Sequence, residues 1–399
     1  MDFRNRKFSI FICVAALIFS AWAPFIAGNA LGSDFMRLVV KGIVGLSAVL
    51  LMVYHYKDIN ISLFEILIML AIFANAAYNC FYTYNGTGKL SVISVLLCIF
   101  FLLQPNFVRA ITFRYFKKIV VYTTFICIVC YLSYMLNLGI PHTIVPRGSY
   151  IVTYINYQVC YLMNINDTLI RFNGMFDEPG YYGTFAAFFI CADGMNLKKK
   201  DNLILFVGGF LSLSLGFFML IFIYYLISNI TKWRRWIILG SVLTLFMFIP
   251  NIQTGNYYVD TVLSRMEIND EGLAGDNRYG SSFERVWDET LKSDKIYTGY
   301  GAGFAEYFGT SETEGLASIK SYFVNFGIIG TLIIFSPLIF ASFRLALRLK
   351  NKHILYYIAI SFISLYQRPC IFMTDYFAMF LCGISYILLM NKNIGEGNG

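Results

Sequence analysis

Long apolar runs separated by short polar segments dominate the chain. Crossing about 30 Å of hydrocarbon takes roughly 20 mostly apolar residues in a helix. Eight runs of suitable length cover residues 8–28, 38–55, 62–83, 90–104, 119–136, 180–196, 236–250 and 321–343. We therefore expect a membrane-spanning helix from each of these runs.

Two longer apolar regions each predict a helical hairpin. Residues 203–230 lie between two basic clusters, 198–200 and 232–235, and a single crossing would leave one cluster outside the cell membrane. Two short antiparallel helices turning near 212–214 keep both clusters on one side. Residues 354–390 are interrupted at 367–369 (QRP), where a proline and a charge favour a turn. The pattern thus predicts twelve crossings within a single transmembrane domain, 1–399.

Basic residues recur next to the apolar runs, and twelve crossings place these clusters on one side, which the positive-inside rule makes cytoplasmic. Both termini are then cytoplasmic, and two large loops, 137–179 and 251–320, face the periplasm of a bacterial inner membrane protein. The segment Ala21-Trp22-Ala23 resembles a signal-peptide cleavage site. We prefer an uncleaved first helix, because cleavage would remove one crossing and would leave the positions of the basic clusters no better explained.

Composition supports an all-α, polytopic integral membrane protein. Hydrophobic residues make up 58% of the 399 residues and charged residues only 14%, against about 25% in typical soluble domains. The net charge is +8, yet residues 251–320 hold twelve of the 23 acidic residues and six of the 31 basic ones, a local charge of −6. A uniform nucleic-acid-binding surface is therefore excluded.

Cysteines and histidines do not indicate a metal or redox centre. Cys127 and Cys130 have CxxC spacing, but no thioredoxin-like βαβ pattern surrounds them. His55, His142 and His353 are far apart in the sequence, which favours neither a zinc site nor a histidine-based triad. The sequence implies no metal and no cofactor.

The first large loop carries charged residues immediately before a predicted helix. Its candidate site residues are Arg147, Arg171, Gly174, Asp177 and Glu178, most of them within the segment RFNGMFDEPG at 171–180. Glycine lets a backbone approach a ligand closely. A purely structural alternative is that the arginine pairs with an acid at the start of the helix, where acids and proline are favoured.

The second large loop supplies further arginines and a glycine–tyrosine segment, YTGYGAG at 297–303. Because acids outnumber bases here, an anion site must be a local arginine pocket, in which planar guanidinium donors bind phosphate in a bidentate manner. Candidate residues in and after this loop are Arg265, Arg278, Arg285, Tyr300, Lys320 and Tyr322, and Arg368 lies at the last turn.

The order of these features resembles bacterial O-antigen polymerases of the Wzy type, within the O-antigen polymerase and ligase superfamily. The similarity covers nearly the whole chain and includes the spans, the two loops, RFNGMFDEPG, the turn near 212–216, YGAG at 300–303, and SYFVNFGIIG at 321–330.

This resemblance implies glycosyl transfer on the periplasmic face, with undecaprenyl-diphosphate-linked oligosaccharide as donor and acceptor. Arg171 and Arg285 would be the principal catalytic residues, with Glu178 or Asp177 as general base. Substrate binding would involve Arg147, Gly174, Arg265, Arg278, Tyr300, Lys320, Tyr322 and Arg368. A chain-length regulator and a flippase in the membrane are further implied partners.

Two alternatives remain open. Ligases of the same superfamily carry a histidine shortly before the helix that contains Gly327 and Gly330, and residues 315–321 contain none. A flippase should place charges along a cavity within the spans, whereas the ionisable residues here collect in loops and at helix ends. The exceptions are Arg37, Lys41, Glu65 and Asp375.

Overall fold

A computed structural model describes most of the chain. The described residues are 3–22, 34–54, 61–86, 92–147, 149–165, 169–228, 233, 237, 241, 255, 260, 268–269, 272–273, 281–309 and 319–396. Most of the predicted span 236–250 and much of the second large loop, including Arg265 and Arg278, lie outside them.

The described part of the chain is mostly helical, as the sequence predicts, and contains fourteen helices. They are α1 (Phe3–Ala21), α2 (Asp34–Tyr54), α3 (Leu63–Phe81), α4 (Val92–Leu103), α5 (Asn106–Met135), α6 (Pro179–Ala192), α7 (Lys200–Leu211), α8 (Leu215–Ile227), α9 (Ser281–Leu291), α10 (Lys295–Thr298), α11 (Phe304–Gly309), α12 (Lys320–Leu349), α13 (Lys352–Gln367) and α14 (Thr374–Glu396). Three of them, α3, α5 and α12, are long and apolar enough to cross a membrane.

Both predicted helix breaks are confirmed. The chain turns at residues 212–214 between α7 and α8. Helix α13 ends at Gln367, and six residues separate it from the start of α14 at Thr374. Ser214 caps α8 by accepting a hydrogen bond from the Phe217 amide at 3.3 Å. Serine favours this position because its hydroxyl pairs with an amide that the helix leaves unpaired.

The predicted start of the fifth helix, at 119, is wrong. Helix α5 already begins at Asn106, so the basic residues 109–118 lie inside a helix and not in a connection. Two of them are buried because they have polar partners. Arg109 donates to the carbonyl oxygens of Gln104 and Leu102 at 2.7 and 2.8 Å and lies 3.6 Å from Glu65. Lys117 pairs with Asp193 at 2.6 Å.

The first large loop contains an antiparallel sheet that the sequence analysis did not predict. Its strands are β1 (Thr143–Arg147), β2 (Ser149–Asn156), β3 (Tyr161–Ile165) and β4 (Leu169–Gly174), and their spatial order is the order of the chain. Successive side chains alternate between the two faces. Tyr154 contributes to a small cluster with Tyr161 and Met163, whereas the neighbouring Ile155 packs into the main core. Strand β4 contacts α5, α6 and α7, so the sheet is docked on the helices.

Helix α6 is the central element of the described helices. Twelve of its fourteen residues are buried, and it packs against α7, α8, α13, α14 and β4. Aromatic rings surround it: Phe185 lies 5.1 Å from both Phe176 and Tyr181 and 5.3 Å from Tyr376. A helix that is apolar on all sides is expected to be enclosed by protein.

Helix α12 bends at Gly327, where the backbone leaves the helical region with φ = 65°. The segment that follows α10 fills the bend: the amides of Tyr300 and Gly301 donate to the carbonyls of Val324 and Asn325 at 3.0 and 2.8 Å. These bonds satisfy carbonyl groups near the bend that would otherwise lack helical partners.

The helices have two distinct ends. At the basic end, Asp193 after α6 pairs with Lys117 of α5 and Lys199 before α7, and accepts from Tyr386 of α14 at 2.8 Å. The opposite end, which we call the site end, carries the sheet, α9 to α11 and the start of α6.

Candidate functional site

The first turn of α6 gathers charged residues from distant parts of the chain. Glu178 is the residue immediately before the helix, and its carboxylate forms an ion pair with Nη2 of Arg368, which follows α13. The Arg368 guanidinium also lies 5.5 Å from the centre of the Tyr181 ring. Its side chain is 16% exposed and that of Glu178 is 36% exposed, so the pair lies at the boundary between protein interior and solvent.

A second arginine lies near the same turn. Arg171 on β4 donates from Nε to the carbonyl of Ser212 at 3.1 Å and from Nη2 to the carbonyl of Leu213 at 3.2 Å. The helical hairpin predicted near 212–214 therefore presents its turn to the predicted catalytic arginine. These two carbonyl acceptors help to fix the position of the guanidinium.

Two glycines on one face of α6 bring the two arginine regions together. A Cβ on Gly180 would lie 2.9 Å from Nη2 of Arg368, and a Cβ on Gly183 would lie 2.8 Å from Cβ of Ser214. Positions three apart are neighbours on a helix surface. Arg368 and the 212–214 turn that binds Arg171 thus contact adjacent positions at the start of α6. The partial positive charge of a helix N-terminus reinforces such an arrangement for anions.

Acidic and polar groups lie next to this turn. The main-chain carbonyl of Asp177 accepts from the Tyr154 hydroxyl at 2.8 Å and from the Asn173 amide at 3.1 Å. Asp375, buried in the first turn of α14, interacts electrostatically with Asp177. The Oδ2 atom of Asp375 and the Oδ1 atom of Asn173 are buried and have no hydrogen-bond partner among the described residues. These oxygens could accept hydrogen bonds from a bound ligand.

Burial and the neighbouring charges set the protonation of this region. Burial lowers the pKa of Arg368, but Tyr376 and the Glu178 carboxylate outweigh it, so the pKa stays above its ordinary value. Burial raises the pKa of the Cys370 thiol to about 11. At neutral pH the arginine is therefore cationic, and Cys370 is a neutral thiol and a weak nucleophile.

A cavity of about 370 Å³ lies elsewhere at the site end, between α3, α11 and α12. Its lining includes the predicted Tyr322 together with Asn79, Glu306, Ser321, Asn325 and Phe326. Tyr300, a predicted substrate-binding residue, stacks on Phe304 with ring centres 4.1 Å apart. One face of the Tyr300 ring is therefore already covered.

The remaining predicted residues are more widely spread. Arg285 is on the exposed face of α9, which packs against α10, α11 and α12 through Phe283 and Val286. Lys320 lies 5.5 Å from the centre of the Trp287 ring. The Arg147 backbone is part of β1, but its side chain is outside the described residues.

Gly174 ends β4 and lies close to Tyr182. A Cβ on Gly174 would be 2.9 Å from that ring, at a backbone φ of +63° that few other residues adopt. Its position is explained by packing against α6, and whether it also contacts substrate stays a prediction.

Sequence reasoning missed several polar residues near these two regions. Asp375 was singled out as an ionisable residue within the spans, but it was not predicted to belong to the site. Asn79, Glu306 and Asn325 carry no local signal, because they meet only through the packing of α3, α11 and α12. Within the described residues, no group of three or more histidines, cysteines or acids is arranged to hold a metal ion.

No protein-family model, curated protein or solved structure gives a significant match to this chain.

Proposed function

We propose that the chain is a membrane glycosyltransferase that polymerises saccharide units carried on undecaprenyl diphosphate, as O-antigen polymerases do. The observation that carries the proposal is the arrangement at the start of α6, where Arg368 and the Arg171-bound turn contact neighbouring positions of one helical face. Two guanidinium groups beside a helix N-terminus suit a diphosphate, which needs several charge-assisted donors.

In the proposed reaction an acceptor sugar hydroxyl attacks the anomeric carbon of the donor unit. A bond forms between that carbon and the acceptor oxygen, and the bond between the carbon and the diphosphate oxygen breaks. Arg171 and Arg368 stabilise the negative charge that develops on the departing diphosphate. Glu178 or Asp177 accepts the hydroxyl proton, and release of Glu178 from Arg368 on diphosphate binding would free its carboxylate for this role.

The proposed setting is the bacterial inner membrane, with twelve crossings and both termini in the cytoplasm. Three helices of sufficient length and apolarity support membrane association. The basic end would be cytoplasmic, because its lysines and arginines follow the positive-inside rule. The site end would then meet lipid-linked donor and acceptor on the periplasmic side, beside a chain-length regulator and a flippase.

The test is a polymerisation assay with the purified full chain and defined lipid-diphosphate-linked repeat units, followed by product sizing. Replacing Arg171 or Arg368 with alanine should lower the rate by about 10²- to 10³-fold, the usual effect of removing one donor to a developing anion. Arg348→Ala is the matched control, because this exposed arginine lies in the last turn of α12 at the basic end.

Polymer formation at the parent rate by both Arg171→Ala and Arg368→Ala would contradict the proposed diphosphate site. Thermal unfolding of each variant separates lost chemistry from lost folding. Transfer of finished polymer to a lipid A core acceptor, without extension of repeat units, would favour the ligase alternative. Translocation of lipid-linked units without joining them would favour a flippase.

A further inference from the structure

The cavity beside α12 has the size of a ligand site and a chemistry that differs from the arginine region. Its volume of about 370 Å³ lies within the range of roughly 300 to 1,000 Å³ that small-molecule sites occupy. The described residues that line it include the carboxylate of Glu306 and no lysine or arginine. A phosphate or carboxylate ligand would be repelled by this carboxylate, so the cavity is unsuited to the diphosphate.

Several polar side chains that line the cavity form hydrogen bonds. The Asn325 amide nitrogen donates to Oε2 of Glu306 at 3.1 Å. The Tyr322 hydroxyl donates at 3.4 Å to Oδ1 of Asn75, a residue outside the lining. Asn79 adds a further amide to the wall. Asparagine amides both donate and accept hydrogen bonds, and the carboxylate accepts them. Such groups match the hydroxyl groups of a sugar, each of which both donates and accepts.

Aromatic rings supply the apolar part of the lining. Phe326 and Tyr322 are 5.6 Å apart, and Tyr307 contributes to the cavity from α11 with 62% of its surface exposed. A pyranose ring has apolar C–H faces as well as polar hydroxyl edges. Ligand sites that combine aromatic walls with a few fixed polar groups suit molecules of this kind.

The bend in α12 holds the polar groups in place before any ligand binds. Oδ1 of Asn325 accepts from the Ala305 amide at 2.8 Å, which directs the amide nitrogen of the same side chain toward Glu306. The main-chain carbonyl of Asn325 accepts from Gly301 at 2.8 Å. A site fixed in this way loses little conformational freedom when a ligand binds.

The cavity lies close to the region of Arg368. The amide of Ile319, just before α12, donates to the carbonyl of Tyr366 at 3.4 Å, two residues before Arg368. The Tyr322 ring lies 5.0 Å from the ring of Phe335, which in turn lies 5.9 Å from the ring of Phe372, four residues after Arg368. A chain of sugars occupying the cavity would thus extend next to the proposed diphosphate site.

We propose that the cavity lined by Glu306, Asn325, Tyr322 and Tyr307 is a binding subsite for a neutral saccharide, and that it holds the acceptor sugar of the reaction. The assignment to the acceptor rests on the proposed function. The binding of a neutral sugar does not, because it follows from the lining alone.

The test is saturation-transfer NMR on the purified full chain in lipid nanodiscs with free sugars that carry no lipid and no phosphate. The probes are glucose, galactose, rhamnose, N-acetylglucosamine and N-acetylgalactosamine, which cover the common neutral hexose, deoxyhexose and N-acetylhexosamine types. We expect at least one to bind, and Glu306→Gln and Tyr307→Ala each to weaken binding about tenfold, because the first removes a charged hydrogen-bond acceptor and the second removes an aromatic wall of the cavity.

Tyr297→Ala is the matched control, because Tyr297 is a similarly exposed tyrosine, at 57%, on the neighbouring helix α10. It should bind the sugar as the parent does. The proposal is overturned if no probe binds, if both cavity variants bind as tightly as the parent, or if inorganic pyrophosphate displaces the sugar. Sugar binding in a chain that fails to polymerise lipid-linked units would leave this subsite standing and refute the proposed function alone.

Discussion

Arg368 is fixed by contacts from three directions at the start of α6. It pairs with Glu178, lies against the Tyr181 ring and approaches the bare backbone of Gly180. A planar guanidinium that is constrained in this way is already oriented for bidentate binding to phosphate oxygens. Lysine could supply the charge but not the same planar set of donors.

Gly180→Ala tests whether this orientation matters. The new methyl group would lie 2.9 Å from Nη2 of Arg368 and must displace it. We expect polymerisation to fall by tenfold or more while thermal stability is kept, because alanine is favoured over glycine in helices by about 1 kcal/mol. Gly42→Ala in α2 is the control, since no atom lies within 4 Å of its added Cβ. Unchanged activity of Gly180→Ala would show that the exact position of Arg368 is unimportant.

Part of this site could be predicted from sequence and part could not. Arg171, Glu178 and Arg368 stand in segments whose composition marks them as candidates. The pairing of Glu178 with Arg368 spans 190 residues, and no local pattern indicates it. Glu306 and Asn325 were missed for the same reason, because each is an ordinary polar residue until α11 packs against α12.

Among the elements, the bend in α12 connects the second loop to the helices. Gly327 and Gly299 face one another's backbones, so a Cβ on either would overlap main-chain atoms of the other segment. The amide of Ala302 then donates to the carbonyl of Tyr82 at 2.7 Å, which attaches the same segment to the end of α3. The segment 299–303 thus joins α3 to α12 and forms part of the wall of the cavity beside α12.

Gly327→Ala should destabilise this junction strongly. Its φ of 65° with ψ of −176° is a region that only glycine adopts readily and costs a residue with a side chain about 1 to 3 kcal/mol. The overlap with the Tyr297 backbone adds to that cost. Gly86→Ala separates the two effects, because Gly86 has a similar φ of +69° with no atom within 4 Å. We expect a larger drop in melting temperature and faster proteolysis within 281–309 for Gly327→Ala. Equal losses in the two variants would mean that the close packing contributes nothing.

The sequence predicted the ends of helices best where the break contains, or is flanked by, residues that favour a turn. The turn at 212–214 was predicted from the basic clusters on either side of residues 203–230. The turn after Gln367 was predicted from the proline and the charge at 367–369. The start of α5 was misplaced because its basic residues were assigned to solvent, whereas Arg109 and Lys117 are paired inside the protein. The sheet was missed because its strands are only five to eight residues long and stand within a segment interpreted as a loop.

For the whole molecule, the separation of the site end from the basic end determines how the protein should lie in a membrane. The described arginines and lysines of α5 and α7, those in the last turns of α12 and Lys352 at the start of α13 lie near the basic end, where Lys117 and Lys199 share Asp193. The sheet and the cavity are at the other end. The proposed function at the outer surface therefore requires that the site end faces the periplasm and the basic end faces the cytoplasm.

Cysteine labelling in spheroplasts tests this orientation. Lys292→Cys is at the exposed end of α9, and Lys352→Cys is exposed at the start of α13. Both are made in a background in which the exposed Cys80 is serine. A membrane-impermeant maleimide should label Lys292→Cys in intact spheroplasts and Lys352→Cys only after the membrane is opened. Labelling of both from outside would contradict a membrane between the two ends, and the reverse pattern would invert the orientation.

The order of strands in the sheet bears on how the chain is made. Each strand pairs with its immediate neighbour in sequence, so β1 to β4 form a meander whose contacts are all local. Local pairings form quickly because little chain entropy is lost in closing short loops. The sheet can therefore assemble before the helices that follow it in the chain have packed together. The nascent chain would then present a finished platform on which each later helix docks during biogenesis.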